Sequence, residues 1–227
     1  MRIAVVGGMG AVAREVAVQA MEAGHSVGWL LGPDDELADP SLETDFPQVL
    51  TIVRGAWDDT DKYDELLRGS DAVVVALDLH HTPAERFRPT QHLVQRAMHR
   101  TRVERIILVS AHGSGDSARR LDWELWARLN INQLFYSLLG TRALCWSVVA
   151  QYSEQERVLL RDQLRHTVLR PAAVVDGPRM GTYLASPSHV YGGYISAADV
   201  ADCAIKALEN DMDVDQAFSI AYSSRVA

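Results

Sequence analysis

Two clusters in this 227-residue chain hold side chains suited to acid/base or nucleophilic work. One is Asp78 with His80 and His81; the other is Ser110 with His112 two residues on. An imidazole titrates near neutral pH, and a carboxylate beside it raises its pKa and fixes its tautomer. Asp78 and His80 therefore form a candidate acid/base pair, with His81 a candidate substrate contact. A solvated loop is the plain alternative. The order Asp-x-His-His matches no standard zinc spacing, so no metal is expected. Ser110 offers a hydroxyl that orients a substrate carbonyl, or else caps a loop. His112 is a second acid/base candidate or a loop histidine.

A third feature binds rather than reacts. Gly7-Gly8-Met9-Gly10-Ala11-Val12-Ala13 follows an apolar opening run and leads into a helical pattern. Gly7 permits a tight turn, and Gly10 lets the backbone approach phosphate oxygens. Ala13 is small enough for the helix to pack near the strand. The helix dipole and free N–H groups then favour a pyrophosphate. The bland alternative is a glycine turn that binds no nucleotide.

These residues need a frame. Strands are predicted over 2–6, 26–31, 49–53, 72–77, 105–109, 166–169 and 218–221. Helices are predicted over 11–23, 63–67, 90–99 and 200–208, and 121–164 reads as largely helical with a break at Gly140. The 72–77 run is apolar throughout, as suits a central strand covered on both faces. Strand–helix alternation of this kind predicts an α/β fold with a doubly wound parallel sheet. The first strand is then central, with Gly7–Ala13 at the switch point and Ser110 and Asp78 on the carboxyl edge. The acidic, proline-bounded stretch 32–47 reads as a surface loop.

Composition narrows the class. The length suits one domain with a full core. Net charge is −8 with no basic run longer than an arginine pair, which argues against nucleic acid as a partner. Two distant cysteines without a partner motif read as free thiols. No stretch reaches transmembrane length, so a cytoplasmic protein without membrane contact is expected.

Several blocks resemble one family in register. They are the turn from Gly7 to Ala13, Gly24-His25-Ser26-Val27, the spacing from Gly55 to Gly69-Ser70-Asp71, and Val103 through Ser110. Leu169-Arg170-Pro171 and Ile195-Ser196-Ala197-Ala198-Asp199-Val200-Ala201 complete the set. The chain is similar to atypical short-chain dehydrogenases/reductases of the NmrA-like and flavin-reductase (biliverdin-reductase-B)-like group. The resemblance implies a Rossmann-like fold, NAD(P)H as cofactor, and a cofactor site at Gly7, Gly8, Met9, Gly10, Ala13, Gly32, Ala56 and Leu77. It implies that the stretch 176–183 flanks the substrate, with Arg179 and Tyr183 as contacts for an acidic or phenolic group; a surface turn is the plain alternative.

The departures from the family pattern shape the functional expectation. Gly32 stands where an arginine pairs with the 2′-phosphate of NADP. Leu30 and Leu31 offer no carboxylate for ribose hydroxyls, and Asp34 or Asp35 reach there only from the loop. Ala56 replaces an adenine-contacting aspartate. No Tyr-x-x-x-Lys is present, and the lysine position falls at about Tyr152, a candidate substrate contact. Weak cofactor binding with little choice between NADH and NADPH follows. In the flavin-reductase-like branch the cofactor delivers hydride and the protein orients the reactants. The leading expectation is an NAD(P)H-dependent reductase of a small aromatic or quinone-like acceptor. A non-redox dehydratase, cyclase or isomerase and a non-catalytic dinucleotide sensor are the alternatives. A helical insertion at about 115–150, carrying Trp123, Trp126 and Phe135, reads as a lid or a subunit interface, and a homodimer is expected.

Overall fold

The structure is a computed structural model. It describes residues 1–37, 39–78, 82–115, 142–187, 190, 193–210 and 214–223, with the backbone alone at 84 and 142–148. His80, His81 and residues 116–141 of the expected insertion lie outside these. The homodimer and lid expectations rested mainly on that segment.

In chain order the strands are β1 Arg2–Val6, β2 Ser26–Leu31, β3 Leu50–Arg54, β4 Ala72–Val75 and β5 Arg105–Val109. They continue with β6 Arg165–Pro171, β7 Ala173–Val175, β8 Leu184–Ser186, β9 Tyr194–Ser196 and β10 Gln216–Ala221. The helices are α1 Ala11–Glu22, α2 Ser41–Asp45, α3 Thr60–Leu67, α4 Phe87–Thr101, α5 Arg142–Leu159 and α6 Ala197–Glu209. The main sheet runs β3-β2-β1-β4-β5-β6-β10-β8, and β7 pairs with β9 apart from it. Every neighbouring pair in the main sheet is parallel except β10 with β8. The fold is thus the expected Rossmann-like α/β sheet, corrected by one antiparallel edge strand.

Each strand of the centre divides its side chains between two cores. Ile3 and Val5 of β1 face a layer built on α1 and α6, with Val16, Ala20, Val200 and Ala204. Ala4 and Val6 face the opposite layer, with Tyr63 and Leu66 of α3, Phe87 and Val94 of α4, and Leu159 of α5. This two-sided burial explains why the central strands lack polar alternation.

Local chemistry sets the boundaries that differ from expectation. Pro89 does not delay α4 to residue 90. It sits in the first helical turn, where its missing N–H has no partner to lose. Helix α6 starts earlier than residue 200 because Ser196 caps it, its Oγ accepting from Asp199 N at 3.1 Å. The strand expected over 72–77 ends at Val75, with Ala76 N making a last bond to the Val6 carbonyl at 2.8 Å, and Ala76 and Leu77 become site wall. The stretch 32–47 is more than a surface loop. It holds α2 and buries Leu37 and Leu42.

Candidate functional site

Chain reversal places β1 beside both β2 and β4, so the sheet opens at the carboxyl end of β1. Gly7 fits there because nothing larger does. A Cβ on it would lie 2.3 Å from the Ala76 carbonyl oxygen and 2.7 Å from the Ala13 Cβ. Gly8 turns the chain with φ +56°, and its carbonyl accepts from the Trp29 indole at 3.0 Å. Gly10 is the N-cap of α1 and provides no side-chain cap, and the first turn holds no acidic residue. The α1 N-terminus is therefore left to whatever anion the cleft holds. A Cβ on Gly10 would lie 2.8 Å from the Asp78 Cβ, so Asp78 borders this turn.

Two clefts meet at Ala11 and Asp176. One, of about 500 Å³, runs past Met9, Arg14, Glu15 and Glu36. The other, of about 520 Å³, is walled by Val12, Leu77, Asp78, Ser110, Tyr152 and the 171–176 segment. Their shared edge is the α1 N-terminus, and the pair spans the switch point.

A loop carboxylate reaches the end of β2. Asp35 Oδ2 accepts from Gly32 N at 2.8 Å and lies 3.4 Å from where a Cβ on Gly8 would sit. Trp57 approaches the same glycine. Ala56 itself is exposed, and its carbonyl accepts from Asp59 N at 3.0 Å.

The floor near Ser110 is a buried polar network. The Ser110 hydroxyl donates to Glu156 Oε1 at 2.5 Å and lies 2.8 Å from the Ser114 hydroxyl. Ser114 also contacts Glu156 Oε1. Arg170 pairs with the same carboxylate, Nη2 to Oε2 at 2.7 Å and Nε to Oε1 at 3.1 Å. Glu156 is 1% exposed and Arg170 5%. The sequence singles out Ser110 and shows Arg170 only as part of a family block, and it assigns no role to Ser114 or Glu156. The signal was present: Glu156 is a carboxylate on a helix face that also buries Gln155 and Leu159. Such a residue asks for a cationic partner.

Tyr152 stands over the β4 edge. Its hydroxyl donates to the Leu77 carbonyl at 3.1 Å, and its ring meets Phe87 edge-on at 5.0 Å. Burial first, and then the Asp78 charge, hold its phenol far above the ordinary tyrosine range.

Ser110, Asp78, Leu77, Tyr152 and Met9 thus come together around the clefts. His112 follows Ser110 and its backbone N–H donates to the Pro171 carbonyl at 2.8 Å, but it lines neither cleft. Arg179 and Tyr183 are not brought to these walls either. Arg179 Nη1 donates to Gln19 Oε1 at 3.4 Å. Tyr183 donates to Asp202 Oδ2 at 2.9 Å, beneath the Lys206 ammonium. Burial, followed by the neighbouring Cys203 and Asp202, pushes the Tyr183 phenol far up as well.

Comparison with known proteins agrees with this geometry. Residues 7–211 match a family described as NAD(P)H-binding. No curated protein matches the sequence. Among solved structures, ChuY, an anaerobilin reductase from Escherichia coli O157:H7, superposes with TM-score 0.74 at 17% identity, covering 100% of this chain and 99% of that one. A wide-type short-chain dehydrogenase/reductase from Veillonella parvula in complex with NADP gives TM-score 0.72 at 14% identity, covering 98% and 95%. A Rossmann-fold NAD(P)-binding protein from Shigella flexneri gives 0.70 at 16%, covering 100% and 95%. At these identities the likeness establishes the fold, and the match over residues 7–211 establishes the family: the chain belongs to the NAD(P)H-binding family.

Proposed function

We propose that the chain is an NAD(P)H-dependent reductase whose acceptor is a small aromatic or quinone-like molecule. The observation that carries the reading is the uncapped α1 N-terminus. It opens between two clefts, of about 500 and 520 Å³, that together offer room for a dinucleotide and a second flat reactant. The N–H groups after Gly10 would hold the pyrophosphate, and Gly32, Asp35 and Trp57 would border the adenosine half. When bound, the reduced nicotinamide supplies the hydride. The chain's own residues do the rest. Leu77, Ser110 and Tyr152 shape the reactive end of the cleft, and Val174 and Val175 form an apolar lip. Two flat reactants held face to face gain from orientation, with no covalent step by the protein.

The proton that accompanies hydride transfer to a quinone comes from water at the cleft mouth in this reading. Tyr152 is a poor donor because its hydroxyl is bonded to Leu77 and its pKa is far above neutral. The Ser110 proton points into the Glu156 carboxylate rather than toward the acceptor. ChuY, which is a reductase, supports reduction as one class this fold carries out. Asp35 favours NADH over NADPH, because a carboxylate at the β2 end accepts from ribose hydroxyls and repels a 2′-phosphate. We place the working form as a homodimer in the cytoplasm.

Titration of the protein with NADH and NADPH, read by tryptophan fluorescence, tests the cofactor half. Trp29 and Trp57 both lie against Gly8, so quenching is expected. Oxidation of NADH at 340 nm with a naphthoquinone or free flavin tests the acceptor half. Quenching without turnover of any acceptor would turn the reading toward a dinucleotide sensor.

A further inference from the structure

Helices α4 and α5 enclose a groove of about 220 Å³ on the face away from α1 and α6. Arg88, His92, Arg96 and His99 line it from α4, and Arg157 and Arg161 from α5 and the turn that follows. Residues 88, 92, 96 and 99 are spaced by four, four and three, so they form one stripe along the helix. At 1.5 Å per residue the stripe is ~16 Å long. The sequence hides this cluster. No two of these arginines are adjacent, and helical spacing gathers what the linear order spreads.

The cluster is short of counter-charge. Arg157 is paired with Glu154 at 2.5 Å, and His99 with Asp162 at 2.8 Å. Arg88, Arg96 and Arg161 have no ion-pair partner among the described residues. Three uncompensated guanidinium groups thus share one concave site in a chain of net charge −8. Burial, and then the charges of Arg88 and Arg96, hold the His92 pKa below its ordinary value. The imidazole therefore sits in a positive field that Asp162, a carboxylate of the groove wall already engaged by His99 and Gln95, only partly offsets.

We infer that this groove is a binding site for a small, multiply charged anion carrying a chain of phosphates. Guanidinium forks match phosphate oxygens two at a time, and several phosphates in line fit a stripe of this length. A nucleic-acid polymer fits less well, since the surrounding surface of this acidic chain would repel its flanks. None of the groove residues lines the dinucleotide clefts, so the two sites are independent.

Calorimetry on the full chain with tripolyphosphate tests the inference, with inorganic phosphate and ATP as further arms. Tripolyphosphate is expected to bind one per chain, at least ~tenfold tighter than phosphate. The double variant Arg96→Gln/Arg161→Gln is expected to weaken it by ~tenfold or more, the factor equal to about 1.4 kcal/mol. Equal affinity for ATP and tripolyphosphate assigns recognition to the phosphate chain alone. Tighter ATP binding that the double variant abolishes adds a nucleoside to the ligand. The His92 titration, followed by NMR, should move to higher pH when tripolyphosphate is added to the unaltered chain. The charged groups around it are Arg88, Arg96 and His99 on α4, with Arg157, Arg161 and Asp162 opposite. Gly10→Asp, which fills the dinucleotide cradle with a carboxylate, should leave this binding intact. An unmoved His92, binding indifferent to the arginine variants, or binding lost in Gly10→Asp would overturn the site.

Discussion

Arg170 grips Glu156 with two nitrogens, Nη2 at 2.7 Å and Nε at 3.1 Å, and both side chains are buried beneath the cleft floor. The pair ties β6 to α5, and Ser110 adds the end of β5 through its hydroxyl. Three elements that approach one another beneath the cleft are thus held by one carboxylate.

The first prediction concerns that tie. Removing one member leaves the other charge buried alone, which costs about 3–5 kcal/mol. Arg170→Leu is expected to lose stability on this scale. Arg170→Leu combined with Glu156→Leu should recover a large part of it, because no lone charge then remains. Urea unfolding of the two variants gives the comparison. A double variant no more stable than the single one would show that the pair's cost lies elsewhere.

Cofactor choice is the second. With Asp35 bonded to Gly32 N, NADH is expected to bind tighter than NADPH. Asp35→Asn removes the charge but keeps the shape. It should narrow the NADH preference by ~tenfold, the effect of about 1.4 kcal/mol. Fluorescence titrations of both nucleotides against both proteins measure it. An unchanged ratio would mean that the 2′ position lies away from Asp35.

The third uses Gly10. An aspartate at an N-cap bonds the helix's own first N–H groups. Gly10→Asp therefore supplies from within the carboxylate that a pyrophosphate would otherwise replace. With Asp78 displaced, since the new Cβ would lie 2.8 Å from its own, helicity should be retained and nucleotide binding lost by at least ~100-fold, because the electrostatic cradle is both filled and reversed in sign. Circular dichroism and titration together separate this from unfolding.

The frame was legible because it rests on patterns that tertiary contacts rarely override. Two-sided apolar runs marked β1, β4 and β5, and glycines marked the turn at 7–10. What stayed hidden depends on contacts between distant residues. Glu156 reads as one more charge on a helix until β6 brings Arg170 beneath it. Asp35 reads as one of several acidic loop residues until its side chain folds back on Gly32. Tyr183 looked available for a substrate because the sequence does not show Asp202 waiting on α6. The short strands β7, β8 and β9 were missed for a related reason. Three residues carry too little alternation to register, and only their partners make them strands.

The fourth prediction is a pH dependence seated at Asp199. Burial opposes its ionisation. Hydrogen bonds from Tyr222, from the N–H groups of Gly181 and Met180, and from Ser196 outweigh that and hold its pKa below the ordinary value. A carboxyl with a depressed folded-state pKa adds stability above its unfolded value, ~3.9. That stability is lost as pH falls through the folded-state pKa. Acid unfolding should therefore draw on this group only below about pH 4. Tyr222→Phe removes one of the bonds, at a cost of about 1–2 kcal/mol near neutral pH. The acid midpoint should then move upward. A midpoint that stays in place while neutral stability drops would exclude Asp199 as the seat of the effect.

Tyr152 carries the last prediction, because it separates two kinds of reductase. Where a tyrosine is the general acid, its loss lowers turnover by ~10²–10⁴-fold and removes an ionisation from the pH profile. Here the phenol donates to the Leu77 carbonyl, and burial with the Asp78 charge holds it protonated well beyond the ordinary tyrosine range. Tyr152→Phe should keep the ring against Phe87 and lose one hydrogen bond, worth about 1 kcal/mol. Turnover with NADH and a quinone should fall by less than ~tenfold, with the pH profile unchanged between pH 6 and 9. The comparison is made at saturating NADH, so that a weakened cleft wall shows in KM rather than kcat. A fall of a thousandfold, or the loss of an ionisation in that range, would make Tyr152 the proton donor and point to tyrosine-dependent chemistry.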